Sequence, residues 1–403
     1  MHGYYKILTI AFVLSVVHLL PASAQEAIRI GVLNDQSGPY ASYQGPGSVV
    51  AAQMAVEDYG GKAAGKKVEV VAGDHQNKAD IGVAITRRWF ENENVSAVFD
   101  LANSAVALAV ANLTEQQNKV AIASGAGTAL LTGEKCTPNT VAWTYDTYAY
   151  GHGLGKVVVG RGGKTWFFIT ADYAFGQDLE KQATEAVKAA GGQVLGGVRH
   201  PIGTADYASF LLQAQASNAD VVGIANAGDD TTTSIKQAAE FGLTKKQKIV
   251  GLILGLNGIP ALGLKLAQGT QFLNPFYWDF NEGTRAFAKR FVERHPEHNV
   301  PNDMQAGVYA SVVHYLKAVD KVGSAADGKA VVAAMKALPT DDPLFGKGYI
   351  RNDGRKIHPM YLMEVKKPEE SDSKWDLLKV VSTIRGEDAF RPESQGNCRL
   401  AAK

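Results

Sequence analysis

A loop rich in glycine, proline and tyrosine, GVLNDQSGPYASYQGPGS, occupies residues 31–48 between an apolar run and a helical pattern. Glycine-rich turns that open a helix bind phosphate through free backbone N–H groups. The glycines of this loop are spaced too widely for the Gly-x-Gly-x-x-Gly pattern of dinucleotide sites. Its prolines and its tyrosines, Tyr40 and Tyr43, instead favour a stiff aromatic wall for a ligand, with an ordinary Gly-Pro surface turn as the alternative.

Motifs for catalysis and for metal binding do not occur in the sequence. The segment GRGGKTW ends like a phosphate-binding loop, but Val158 stands where that motif requires glycine, and Thr165 begins a predicted strand. The 9 histidines are scattered, and His75, beside an acid at a strand end, is expected in a loop hydrogen-bond network. Ser124 lacks the first glycine of a Gly-x-Ser-x-Gly elbow. The sequence therefore predicts a protein that is not an enzyme and that has no catalytic residues, metal site or cofactor.

Polar and aromatic groups that suit a small organic ligand follow the predicted strands. Ligands of open α/β sheets bind beyond the carboxyl ends of the strands, so these loops are expected to form a common site. Taken singly, each loop could serve only to connect or cap: Ser104 and Thr128, for example, could be helix N-caps. The loops are residues 37–43, 103–104, 124–128, 171–176 and 226–230.

Strand-like apolar runs and helical patterns alternate along most of the chain, which predicts parallel sheets covered by helices on both faces. A first series runs from AIRIGVLN to KVAIAS, and a second begins with a helix over residues 148–159 and continues to QKIVGLIL. The GHGLG stretch inside that helix predicts close helix packing. Two α/β lobes suit a chain of 403 residues.

The N-terminal residues 1–24 have the pattern of a signal peptide, with one lysine, an apolar stretch and the small-residue end Ala22-Ser23-Ala24. This predicts cleavage after Ala24 and export, most simply to a bacterial periplasm. The formal net charge of +1 disfavours a nucleic acid or an anionic membrane surface as the partner. The chain has 2 cysteines, and in an oxidising compartment Cys136 and Cys398 are expected to form one disulfide.

The stretches IRIGVLNDQSGPYASYQGPG, SGAGTALLTG, TYDTYAYG, TADYAFGQ and QAAEFGL, in this order, resemble the branched-chain amino-acid type of periplasmic substrate-binding protein, the receptor of an ABC importer. The resemblance implies an α/β fold of two Rossmann-like lobes with parallel sheets, joined by three crossover segments near Asp146, Phe276 and Phe345. It assigns residues 25–146 and 277–345 to the N-terminal lobe and residues 147–276 and 346–403 to the C-terminal lobe. The implied partners of this monomer are a small-molecule ligand and the permease and ATPase subunits at the inner membrane.

Two positions depart from the amino-acid-binding pattern of that family. Gly127 stands at the place of a threonine in the loop SGAGTALL, and the second-lobe stretch VGLILGLNGIP lacks the acid that pairs with a ligand ammonium. A buried ammonium without a counter-charge costs several kcal/mol. The resemblance therefore implies the branch of the family that binds aromatic carboxylates such as benzoate or cinnamate, captured in the cleft by hinge closure. Asp172 or Asp229 would take the place of the missing acid if the protein were an amino-acid receptor.

The resemblance also assigns residues to the ligand. Hydroxyl groups and helix N-terminal amides at Ser104, Ala126 and Thr128 are expected to bind the carboxylate. An amino-acid or amide receptor, a sensory ligand-binding module and, least favoured, an exported α/β hydrolase remain as alternatives. The full set of predicted ligand-binding residues is Ser37, Tyr40, Asn103, Ser104, Gly125, Ala126, Thr128, Tyr148, Tyr173, Phe175, Asn226, Asp229, Leu254 and Phe276.

Overall fold

The computed structural model describes residues 27–401, so the predicted signal peptide lies outside the described residues. Within that range, no helix combines the length and the apolar character needed to cross a membrane. The strands are β1 Ile28–Asn34, β2 Lys62–Ala63, β3 Lys66–Asp74, β4 Val95–Asp100, β5 Val120–Ala123, β6 Thr140–Ala142, β7 Thr165–Ala171, β8 Gln193–His200, β9 Val221–Ala225, β10 Lys248–Gly251, β11 Gln271–Asn274, β12 Thr340–Asp342, β13 Gly346–Ile350, β14 Lys356–Ile357, β15 Met360–Val365 and β16 Leu378–Ile384.

Helices follow most of these strands, as the alternating pattern predicts. They are α1 Gly45–Asp58, α2 Ala79–Asn92, α3 Ser104–Gln116, α4 Thr147–Gly160, α5 Ala174–Ala189, α6 Ala208–Ala216, α7 Asp229–Glu240, α8 Gly258–Leu262, α9 Leu264–Ala267, α10 Glu282–Arg294, α11 Asp303–Val322, α12 Gly328–Ala337 and α13 Gly386–Ala389.

The first sheet has the strand order β2-β3-β1-β4-β5-β6, and all its pairs except β2 with β3 are parallel. Its strands are apolar on both sides because helices cover both faces: α1, α11 and α12 pack on one face, and α2 and α3 on the other. Trp89 lies so close to the strand backbone that a Cβ atom on Gly31 would be 2.4 Å from its ring. We call this sheet and these helices the first lobe.

The second sheet has the order β10-β9-β7-β8, with every pair parallel. Helices α4 and α5 pack on one of its faces and α6 on the other, and we call this unit the second lobe. The predicted close helix packing is confirmed, because a Cβ atom on Gly151 of α4 would lie 2.7 Å from the backbone nitrogen of Ala183 in α5. Two parallel sheets in one chain also confirm the predicted fold class.

The last third of the chain adds two small antiparallel sheets. The β-like alternation of GYIRNDGRKIHPMYLMEVKK predicts strands in this region but not their antiparallel pairing. Strands β11, β15 and β16 form one of them, and β12, β13 and β14 form the other. Antiparallel pairing needs only short turns, such as the turn between β13 and β14, where Gly354 has a φ of +88°. Asp146 is the N-cap of α4, and Phe276 packs on Phe345 with ring centroids 6.1 Å apart. The lobe boundaries at these residues remain predictions.

The predicted disulfide is confirmed, because Cys136 and Cys398 are bonded with their Cα atoms 5.7 Å apart. It fixes the C-terminal segment to the loop that follows β5 of the first lobe. Its partners are separated by 262 residues of sequence, and closing such a long loop restricts the unfolded chain.

Replacing both cysteines by serine is expected to lower the free energy of unfolding by about 2–4 kcal/mol, because the unfolded chain regains the conformations that the cross-link excludes. Urea denaturation of the variant and of the wild-type protein measures the difference. Titration of the denatured wild-type protein before reduction should find no free thiol. Two free thiols per chain, or equal midpoints for the two proteins, would contradict the stabilising role.

Candidate functional site

A cavity lies between the two lobes, where the loops after β1, β4 and β5 of the first lobe face the loops after β7, β9 and β10 of the second. About 550 Å³ of its space is not filled by atoms, part of it open to solvent. The cavity therefore lies beyond the carboxyl ends of the strands, where ligands of open α/β sheets bind. The lining residues are Tyr40, Tyr43, Gln44, Ala102, Gly125, Tyr145, Tyr150, Tyr173, Phe175, Ala227, Gly228, Ile253, Leu254, Gly255, Leu273, Asn274, Asp303 and Met304.

The loop after β1 is shaped by a carboxylate of its own. Asp35 accepts hydrogen bonds from the backbone N–H groups of Gly38 (2.8 Å) and Tyr40 (2.9 Å) and from the side-chain amide of Asn77 (2.6 Å). These bonds satisfy the buried backbone of the turn and direct Tyr40 to the cavity. Ser37 lies outside the cavity: it is exposed, and its hydroxyl donates to Asp74 at 2.6 Å.

Two tyrosines meet across the cavity from opposite lobes. The hydroxyl oxygens of Tyr40 and Tyr173 are 2.8 Å apart, and the ring of Tyr173 lies 6.0 Å from that of Phe175. Burial raises the pKa of both phenols, so each keeps its proton at neutral pH. The pair therefore provides an apolar aromatic surface with a neutral polar edge.

Tyr145 and Tyr150 form a second aromatic group, which the sequence analysis did not assign to the ligand. Their ring centroids are 5.1 Å apart, and the Tyr145 hydroxyl donates to the carbonyl of Gly125 at 2.7 Å. The backbone of the loop after β5 runs directly beside these rings. A Cβ atom on Gly127 would lie 2.5 Å from the Tyr145 ring and 2.9 Å from the Phe175 ring.

Replacing Gly127 by alanine is expected to lower the free energy of unfolding by about 1–3 kcal/mol, because the added methyl group forces the Tyr145 and Phe175 rings apart. Gly160→Ala is the matched control, since no heavy atom lies within 4 Å of its added Cβ position. Thermal and urea unfolding of both variants measure the difference. Equal stability of Gly127→Ala and Gly160→Ala would show that the two rings move aside without cost.

One hydroxyl group predicted to bind a ligand carboxylate, that of Thr128, is bonded to a carboxylate of the protein instead. Asp178 of α5 accepts hydrogen bonds from the hydroxyls of Thr128 (2.7 Å) and Thr147 (2.6 Å) and from the backbone N–H of Ala129 (2.8 Å). The Ser104 hydroxyl accepts the N–H of Thr128 at 3.2 Å. Neither Ser104 nor Thr128 lines the cavity.

Two backbone donors of the same loop remain without an acceptor. In the described part of the chain, the N–H groups of Ala126 and Gly127 donate to no carbonyl or side chain, whereas that of Gly125 donates to the carbonyl of Asp100. Ala126 itself is buried and does not line the cavity, but its neighbour Gly125 does. Adjacent free N–H groups of this kind suit an anion.

Several further residues predicted for the ligand are used elsewhere in the fold. The Asn103 side chain caps α3, and Asn226 bonds the Thr231 hydroxyl at 2.7 Å. Tyr148 stacks on His152 with ring centroids 3.8 Å apart, at a different surface of α4. The structure therefore brings Tyr40, Gly125, Tyr173, Phe175 and Leu254 together at the cavity, and it places Ser37, Asn103, Ser104, Ala126, Thr128, Tyr148, Asn226, Asp229 and Phe276 outside its lining.

The cavity lining contains an acid that is not among the predicted ligand-binding residues. Asp303 begins α11 directly after the N-cap Asn302, and only 4% of its surface is exposed. Burial raises the pKa of Asp303 from 3.8 to about 7. The acids named as substitutes, Asp172 and Asp229, do not line the cavity. A Pro-Asn-Asp-Met-Gln sequence signals a helix start, but no local pattern says that the helix points at the cleft.

Gln44 is the second polar residue that sequence reasoning missed. It is 2% exposed, and its Nε2 donates to the sulfur of Met304 at 3.1 Å. Its Oε1 has no hydrogen-bond partner within residues 27–401. His75, in contrast, has the structural role expected of it: it is buried, and its Nδ1 accepts the N–H of Asn77 at 3.0 Å.

Sequence and structure comparisons agree with this architecture. Residues 27–373 match the pattern of a family described as "Periplasmic binding protein". The chain belongs to this family. It is a substrate-binding protein of the branched-chain amino-acid type of ABC transporter, and the family and fold are those of solute-binding receptors, which are not enzymes. Membership implies a periplasmic location.

The chain is similar to the following proteins over most of their length. A Leu/Ile/Val-binding protein homolog of Brucella suis is 25% identical over 374 residues, covering 90% of this chain and 94% of the relative. A periplasmic binding protein of Burkholderia mallei is 48% identical, with a TM-score of 0.90 and coverage of 93% of this chain and 99% of that one. A branched-chain amino-acid ABC transporter ligand-binding protein of Burkholderia xenovorans is 38% identical, with a TM-score of 0.81 and the same coverage.

Proposed function

We propose that this protein is the receptor of an ABC importer that captures a small aromatic carboxylate, benzoate- or cinnamate-like, by hinge closure of its lobes and delivers it to a membrane permease. The observation that carries the proposal is the lining of the interlobe cavity. Tyr40 of the first lobe meets Tyr173 of the second, the Phe175 ring lies beside that of Tyr173, and Tyr43, Tyr145 and Tyr150 add further rings. A planar ring suits this lining, since each offset or edge contact contributes about 0.5–1.5 kcal/mol beyond area burial.

The free N–H groups of Ala126 and Gly127 support binding of the carboxylate. The Ala126 amide was already among the groups expected to bind the carboxylate, and the Gly127 amide replaces the Ser104 and Thr128 hydroxyls, which form hydrogen bonds within the protein. A solute-binding protein of Rhodopseudomonas palustris, crystallised with 4-hydroxybenzoate, has the same fold with a TM-score of 0.81. At 23% identity the likeness extends to the fold alone, so the ligand proposal rests on the cavity.

Calorimetry and thermal unfolding with benzoate, cinnamate, phenylalanine and leucine test the proposal. We expect an aromatic carboxylate to bind with micromolar or tighter affinity and, at 100 times its Kd, to stabilise the protein by about 2.7 kcal/mol. Tyr173→Ala should weaken this binding at least tenfold, about 1.4 kcal/mol. The exposed Tyr349→Ala should leave it unchanged. No stabilisation by any aromatic carboxylate would reject the assignment.

An amino-acid receptor is the second candidate, and Asp303 is the observation that favours it. An ionised Asp303 could pair with a ligand ammonium as the acid of the family pattern does. Phenylalanine separates the two candidates, because it has an aromatic ring and a carboxylate and adds the ammonium. Binding of phenylalanine that is tighter than binding of benzoate and cinnamate would establish the amino-acid receptor.

A further inference from the structure

Asp303 and the carboxylate of the proposed ligand would repel each other if both were ionised. The Asp303 carboxyl lines the cavity, and within residues 27–401 it forms no ion pair and no hydrogen bond with another side chain. The lining includes no lysine, arginine or histidine in that range. A carboxylate ligand would therefore enter a buried site that already holds a carboxyl group and no cation.

Two carboxyl groups that share a buried site repel each other when both are ionised, so one of them retains a proton. The titratable groups that face Asp303 neither carry a positive charge nor release a proton to it. Tyr43 from the loop before α1, Tyr145 before α4 and Tyr150 within α4 are the titratable neighbours, and burial raises the pKa of each, so they remain neutral. The proton must come from solvent.

Resting on the proposed function, we infer that Asp303 is a specificity-determining residue that binds the ligand in its protonated form, so that capture of one carboxylate takes up one proton. The Asp303 O–H then donates a hydrogen bond in the ligated cavity, to the ligand carboxylate or to the free Oε1 of Gln44. Gln44 and Asp303 both line the cavity, and the Gln44 amide contacts Met304, the next residue along α11. No covalent bond changes, and the only transferred species is the proton from solvent.

The chemistry distinguishes ligands by charge. An anionic ligand requires proton uptake by Asp303, a cationic ammonium favours its ionised form and causes proton release, and a neutral ligand leaves its titration nearly unchanged. Burial holds the pKa of Asp303 near 7 before the ligand arrives, so these differences fall within the range of ordinary buffers. Asp303 would thus permit the binding of aromatic carboxylates at low pH and weaken it as the pH rises.

Calorimetry of benzoate and cinnamate binding at pH 6, 7, 8 and 9, each in two buffers of different ionisation enthalpy, measures both the affinity and the proton count. At pH values above the pKa that Asp303 has in the protein without ligand, the affinity of the wild-type protein should fall about tenfold per pH unit. Over the same range, each bound ligand should be accompanied by the uptake of nearly one proton. Asp303→Asn keeps a hydrogen-bond donor without a charge, so its affinity should vary little with pH and exceed that of wild type at pH 8 and above.

Asp229→Asn is the matched control, because Asp229 is an exposed acid at the start of α7, outside the cavity lining. It should retain the pH dependence and proton uptake of the wild-type protein. Binding of an aromatic carboxylate without proton uptake, or with equal pH dependence in wild type and Asp303→Asn, would overturn the inference and leave the proposed function standing. Absence of binding by every aromatic carboxylate would overturn both.

Discussion

Arg355→Ala is expected to lower the free energy of unfolding by about 3–5 kcal/mol, because it leaves a buried acid without its partner. Arg355 has no exposed surface, and its guanidinium lies 3.8 Å from the carboxylate of Asp146, the N-cap of α4. It also donates to the carbonyl of Tyr145 at 2.8 Å and lies 4.6 Å from the centroid of the Phe390 ring. Removal of the side chain therefore breaks an ion pair, hydrogen bonds and packing together.

Urea denaturation measures the effect, with Arg385→Ala as the matched control. Arg385 pairs with Asp388 on the surface, and 78% of its side chain is exposed, so its loss should cost less than about 1 kcal/mol. Arg355→Ala should also weaken ligand binding, because Arg355 supports the segment that carries Tyr145 to the cavity. A loss of stability as small as that of the control would mean that water or Asp146 itself readily compensates for the missing charge.

The fold was predictable where the pattern is local and periodic. The apolar run that begins the first series is β1, Ile28–Asn34, and the helix expected over residues 148–159 is α4, Thr147–Gly160. The antiparallel sheets were not predictable in the same way. Strand β11 has four residues and pairs with β15, about ninety positions later in the chain. Such pairing depends on how distant segments meet, which hydrophobic periodicity does not encode.

The residues of the candidate site were likewise predictable where local sequence indicates them, and not where only the packing of distant segments brings them to the cavity. Tyr40, Tyr173 and Phe175 were predicted to meet a ligand because they closely follow the parallel strands β1 and β7, beyond whose carboxyl ends this kind of fold binds its ligands. Asp303 and Gln44 lie at or just before the start of a helix. Their local sequence indicates capping and helix initiation, and only the packing of α11 against α1 brings them to the cavity.

The different partner of the Thr128 hydroxyl has a similar cause. Thr128 has the residue type and the loop position of an anion-binding hydroxyl. Asp178 lies 50 residues further along the chain on α5, and its carboxylate accepts the Thr128 hydroxyl before any ligand can. The residue type of a donor is visible in the sequence, whereas its acceptor within the same protein depends on how distant helices pack.

The protein without ligand is expected to lose stability relative to Asp303→Asn as the pH rises from about 4 to about 7. Burial raises the pKa of Asp303 from 3.8 to about 7. Between those values the folded protein retains a proton on Asp303 that the unfolded chain has released, so the free energy of unfolding falls by about 1.4 kcal/mol per pH unit. The total across the window is roughly 4 kcal/mol, and it is fully lost above the pKa of the folded state.

Asp303→Asn has no group to titrate at this position, so the difference between the two proteins isolates the contribution of Asp303. Buried groups that titrate in the same range, Asp100 with a pKa raised to about 6 and His75 and His314 with pKa values lowered to about 4, are present in both and cancel. Urea midpoints and slopes at pH 4.5, 5.5, 6.5 and 7.5 give the two curves. Parallel curves would show that Asp303 titrates with an ordinary pKa in the folded protein. Since the cavity then holds a full negative charge at neutral pH, an ammonium-bearing ligand would become the favoured occupant.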